Sequence, residues 1–161
     1  MKTVMTTAGF LFVATAAMAQ SSPAAFTEKA ASGGMFEIQS SEMILKDGAS
    51  DPEVKAFATQ MIADHTKAAA DLKAAAAKAG VTVPTTLASK EATKLKQLSE
   101  EEGDRQKLYV TQQILAHNDA VVLHRGYAAE GTDPNLKAYA EKALPVLEEH
   151  SRHVDMMKPA Q

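Results

Sequence analysis

Asp51-Pro52-Glu53-Val54-Lys55-Ala56-Phe57-Ala58 combines an acidic helix cap, a proline suited to the first helical position, and the apolar beat of an amphipathic helix. The pattern returns as Asp133-Pro134-Asn135-Leu136-Lys137-Ala138-Tyr139-Ala140. Each copy lies between two long stretches with helical periodicity, so each opens the second helix of a hairpin. Working outward, Gly48 and Gly131 end the helices before the two motifs, and Gly80-Val81-Thr82-Val83-Pro84 closes the helix that the first motif opens. The spacing predicts helices over 24–47, 52–79, 103–130 and 134–158, with a shorter one over 87–101 next to the acidic run Glu100-Glu101-Glu102. Alternating strand patterns are absent. The expected fold is all-α: two antiparallel hairpins packed as a four-helix bundle, whose long connection permits the crossover found in ferritin-like folds. The echo fits a duplicated hairpin or a chance match in Ala/Lys-rich helices, and the architecture is the same either way.

Composition narrows the classes further. The chain has 161 residues, 17 basic and 20 acidic side chains, and neither Cys nor Trp. Without thiols there is no disulfide framework, Cys-ligated metal or thiol nucleophile. A net charge of −3 with no long basic run argues against nucleic acid as a partner. Lys2, the apolar Gly9–Ala17 stretch and the small-x-small Ala17-Met18-Ala19 read as a signal peptide over residues 1–19, too short to span a bilayer. The expected mature chain is a single helical-bundle domain from residue 20 to 161, periplasmic or secreted, with no transmembrane segment. Protein partners and oligomeric state are not legible.

Heptad-like spacing places four of the five histidines on apolar seams. The second helix gives Val54, Ala58, Met61, His65, Ala68 and Leu72. The third gives Val110, Ile114, His117, Val121, His124 and Ala128, and the fourth gives Leu136, Ala140, Ala143, Leu147, His150 and Val154. In the first helix, Glu37 shares a face with Ala30, Gly33, Gly34, Ser41 and Ile44, small residues that admit a neighbouring helix closely. Glu37 and His65 lie 14 residues before and after Asp51, while His117 and His150 lie 16 before and 17 after Asp133. At about 1.5 Å per residue, the four groups form one layer if both turns are at the same end of the bundle. His124 should lie roughly 11 Å away from that layer, and His153 is off the seam.

A buried imidazole needs an acceptor, a water or a metal. Glu37, His65, His117 and His150 are therefore candidate ligands for a divalent transition metal: zinc, copper, iron or manganese. The alternative is a metal-free Glu-His network in an envelope scaffold or stress-associated interaction protein. Asp64 and Asp119, each one residue round from the seam, read as solvent-facing. No Asp or Glu stands three residues before a His, so the Glu-x-x-His signature of dinuclear carboxylate enzymes is missing. No spacing singles out a catalytic triad or phosphate loop, which leaves an enzymatic role without support. Pro145 should kink the last helix.

Val54-Lys55-x-Phe57-Ala58-x-x-Met61-x-x-Asp64-His65, Tyr109-Val110-x-x-Gln113-x-x-Ala116-His117-x-x-Ala120-Val121-x-Leu123 and Leu144-Pro145-x-Leu147-x-x-His150 together resemble the exported bacterial family catalogued as domain of unknown function 4142. The resemblance covers nearly all of the chain after residue 19. It implies a ferritin-like fold, and it implies Glu, His, His and His at the positions that are Glu37, His65, His117 and His150 here. One departure is Glu102-Gly103-Asp104, where the family commonly has an aromatic before the Asp, so the start of the third long helix is open.

Overall fold

The computed structural model describes residues 22–157, so the expected signal peptide and cleavage point lie outside the described residues. Five helices form among the described residues: α1 (Pro23–Lys46), α2 (Pro52–Ala79), α3 (Ser89–Glu100), α4 (Arg105–Glu130) and α5 (Pro134–Met156). All-α architecture is thus as expected, and no strand occurs among the described residues.

Caps explain the boundaries. The Asp51 carboxylate accepts from the Glu53 and Val54 amides, and the Asp133 carboxylate from those of Asn135 and Leu136, each with proline at the first helical position. These are amide donors that the helix itself cannot satisfy. The third long helix begins at Arg105 rather than 103, because Asp104 takes the cap and accepts from the Lys107 amide at 2.9 Å. α3 starts at Ser89 rather than 87; the preceding Ala88 amide donates to Ser32 Oγ on α1. Gly80 ends α2 at φ 68°, a left-handed conformation that costs an L side chain about 1–2 kcal/mol. Gly131 ends α4 for a different reason. A Cβ there would meet the Tyr127 carbonyl and ring at 2.5 Å. α5 runs unbroken through Pro145, which sits on its exposed face.

Interhelix bonds fix the topology. Arg105 pairs with Asp47, and Gln106 bonds both the Asp51 amide and Ser50 Oγ, so α4 begins at the end of the bundle where α1 turns into α2. At the other end Phe26, near the start of α1, stacks on Tyr127, near the finish of α4, at 4.0 Å. The two hairpin turns therefore lie at opposite ends of the bundle. α3 descends between them across α1 and α4: Lys90 pairs with Asp119, the Gln112 amide donates to the Lys94 carbonyl, and Ser32 donates to Glu91. This single lengthwise crossover makes α2 and α4 parallel, the connectivity that ferritin-like folds use. Each of α1 and α5 packs on both α2 and α4.

The seams of α2 and α5 are buried as read from the sequence except at Ala68 and Ala143, which are half-buried. That of α4 is shifted: Val110, His117 and His124 are buried as expected, but Tyr109, Gln113, Ala116 and Tyr127 are buried beside them, whereas Ile114, Val121 and Ala128 are only half-buried. α3 covers a second face of α4 and buries Gln112, which broadens the contact stripe.

Two apolar cores result. One gathers Phe26, Leu72, Ala76, Tyr127, Leu136, Tyr139 and Ala140; the other Ile44, Phe57, Ala58, Met61, Leu98, Tyr109 and Val154. Glu37, His65, His117 and His150 form a polar waist between them. Among the described residues, no helix is long and apolar enough to cross a membrane.

Candidate metal centre

The structure brings His65, His117 and His150 together. Their ring centroids are 5.8, 5.5 and 5.5 Å apart, a nearly equilateral triangle drawn from α2, α4 and α5. One ring nitrogen from each lies within 4.8 Å of the other two. All three rings are buried.

In each ring, one nitrogen is committed and the other is bare. His117 Nδ1–H donates to the Gln113 carbonyl at 2.9 Å, so the neutral ring has its lone pair on Nε2. His150 Nε2–H donates to Asp64 Oδ2 at 2.9 Å, which places the lone pair on Nδ1. His65 Nδ1 meets Glu37 Oε2 at 3.1 Å. The remaining atoms, His65 Nε2, His117 Nε2 and His150 Nδ1, are buried and have no hydrogen-bond partner. A buried polar atom without a partner costs about 1–3 kcal/mol. Three in one place mark a site that is incomplete as it stands.

Glu37 stands beside this trio. It is 2 % exposed, touches His65 through Oε2, and lies 3.6 Å from His117 Nδ1 through Oε1, an atom with no hydrogen-bond partner. Burial pushes its pKa up to about 8, with the nearby Lys94 charge opposing and Glu91 reinforcing the rise. The histidines move the other way. Desolvation holds His117 down to about 4, partly offset by its bond to the Gln113 carbonyl. It also lowers His65 well below its usual value, aided by the charges of the neighbouring rings, and lowers His150 against the opposing Asp64 bond. Near neutral pH the rings are therefore uncharged, the state in which imidazole ligates metals.

His124 lies two turns beyond His117 on α4, against Phe26 and Tyr139, in a separate layer as expected. His153 is half-buried at the rim, with its edge against Phe57. Asp119 is exposed and paired with Lys90. The sequence reading missed the role of Asp64, which is half-buried and fixes the His150 tautomer. Its signal was present: it adjoins His65 on a helix that packs against α5. Recognising it required knowing that α2 and α5 are neighbours.

A cavity of about 1000 Å³ reaches this layer, lined by all five helices, with Glu37, His65 and His150 in its wall.

These features define a class: an all-helical bundle with a buried histidine cluster in its waist. The family model described as Domain of unknown function (DUF4142) matches residues 11–157, and the chain belongs to that family. No curated protein and no solved structure matches it.

Proposed function

We propose that this is an exported, ferritin-like bundle that holds a divalent transition metal in its waist, with His65, His117 and His150 as ligands. The observation that carries this reading is a cluster of three buried rings, each with one unpartnered nitrogen and each offering a ligand atom within 4.8 Å of the other two. The committed nitrogens support it too. Metal-bound histidines commonly donate their other N–H to a carboxylate or carbonyl, which Asp64 and the Gln113 carbonyl provide here. Tetrahedral coordination with bonds of about 2.0–2.1 Å would draw each ring inward by under about 1 Å. Three ligands leave a fourth position, for Glu37 Oε1 or a water. Imidazole ligands suit zinc, copper or iron, and a carboxylate in the fourth position would also suit manganese. Export is supported by the Lys2, Gly9–Ala17 and Ala17-Met18-Ala19 pattern, with cleavage leaving Gln20 first. Intact-mass analysis of exported protein beginning at Met1 would refute that cleavage.

The test of the site is thermal unfolding of wild type and His117→Ala, with chelator and with each metal. If a metal is bound, wild type melts at a higher temperature with the right ion, and His117→Ala loses that gain. Melting that is independent of every metal, with a large loss in His117→Ala, would decide for a purely structural Glu-His network.

A further inference from the structure

The cavity of about 1000 Å³ beside the waist is a feature that metal binding does not need. Protein interiors pack to crystal density with few voids larger than a water. This space exists because small residues from four helices face it: Ala30, Gly33 and Gly34 on α1, Ala68 on α2, Ala120 on α4 and Ala143 on α5. Its volume is at the upper end of the 300–1,000 Å³ range of small-molecule sites. Larger apolar side chains complete the wall, among them Phe36, Leu72, Leu123, Tyr139 and Leu147. Val122 and Val146, two of the exposed large hydrophobic residues, also line it. A water-filled space of this kind is costly to wall with apolar groups; an organic molecule is a better match.

Charge gives the second half of the argument. Of the six lysines that line the cavity, Lys90 is paired with Asp119, Lys67 and Lys142 are paired with Asp71, and Lys29 and Lys73 are exposed at its edge. Lys94 is half-buried, and its ammonium lies 5.5 Å from the Phe36 ring centroid, with no carboxylate at ion-pair distance among the described residues. Deeper in, His124 lines the same space; its Nδ1–H is given to the Ala120 carbonyl, so its unpartnered Nε2 is an acceptor and the anionic group is left to Lys94. A held cation on an apolar wall recognises an anionic group attached to an apolar body.

We propose that this cavity binds an apolar-bodied organic monoanion, its body between α1, α2, α4 and α5 and its charged group at Lys94. The cavity shares Glu37, His65 and His150 with the metal centre, but its anchor, Lys94, and its apolar walls are not among the metal ligands. Its test uses two fluorescent probes with the same aromatic body, anionic 1-anilinonaphthalene-8-sulfonate and neutral N-phenyl-1-naphthylamine, with chelator present throughout. Wild type should bind the anionic probe saturably at one site, at least tenfold more tightly than the neutral one, and laurate should displace it. Lys94→Met, which keeps the stem over Phe36, should abolish the preference for the anion. Ala68→Phe should weaken both probes tenfold or more while the helical circular-dichroism signal is retained. Equal binding of the two probes to wild type, no saturable binding, or an unchanged preference in Lys94→Met would overturn the proposal. Should Ala68→Phe fail to fold, the Lys94→Met comparison decides alone. The same titrations on His117→Ala keep this result separate from the metal reading, since probe binding persists there whether or not any metal is taken up.

Discussion

At the scale of the residue, the waist depends on which nitrogen of each ring carries the proton. Asp64 accepts from His150 Nε2–H, which leaves Nδ1 bare and free to ligate. Removing such a partner typically costs 10–100-fold in metal affinity. Asp64→Ala should therefore weaken metal binding by about that factor, read by competition with a chromogenic chelator; an unchanged affinity would deny Asp64 a positioning role. The same groups set the pH dependence of the metal-free protein. The lowered histidines stay neutral in the fold but are protonated when unfolded below about pH 6.5, so their stabilising contribution is present above that pH and is lost as pH falls through their lowered folded values, about 4 for His117. Glu37 works in the opposite sense. Its carboxyl stays protonated in the fold up to about 8 but ionises near 4.5 when unfolded, so its contribution is lost as pH rises through 8. In chelator, the urea midpoint should peak near pH 6.5, and Glu37→Gln should remove the decline above it. A wild-type midpoint still rising from pH 6.5 to 8 would contradict this assignment. Glu37 and the three histidines were legible in the sequence because burying such groups on apolar seams is costly. Asp64 was not, because only the tertiary neighbour reveals its purpose.

At the scale of the element, the helix ends were the most legible feature, since Asp-Pro and Gly act through local chemistry. Gly131 is the exception: its requirement comes from Tyr127 one turn back. Gly131→Ala should destabilise the fold by roughly 1–3 kcal/mol through overpacking, measured by chemical denaturation, and Gly131→Ala/Tyr127→Leu should recover part of the loss. An additive double variant would place the cost elsewhere. The shifted seam of α4 shows what periodicity omits. An amphipathic pattern counts one buried face, and α4 has two, because α3 lies across the second and takes Gln112 with it.

At the scale of the whole molecule, the four-residue layer formed although the turns lie at opposite ends, the reverse of the condition under which it was expected. The groups meet because Glu37 and His65 lie 14 residues from one turn and His117 and His150 lie 16 and 17 from the other, distances that together come close to the 28 residues of the longest helix. The waist separates two apolar cores, and such a polar layer is poor evidence of stability. In chelator, His65→Leu should cost about 1–3 kcal/mol by depriving Glu37 of its partner, and Glu37→Leu/His65→Leu should restore the loss or exceed wild type. Equal destabilisation by the single and double variants, in urea titrations, would show that the layer itself holds the cores together.

The lengthwise crossover also gives the molecule a polarity. α1 starts at one end of the bundle and α5 finishes at the other, about 36 Å apart for a helix of 24 residues. Pulled at Pro23 and Met156, the bundle would be loaded along its helices, sliding neighbours past one another rather than peeling them apart. It is thus a strut: an anchor at one end and a load at the other would be held a fixed helix-length apart, with the histidine layer midway along the line of force.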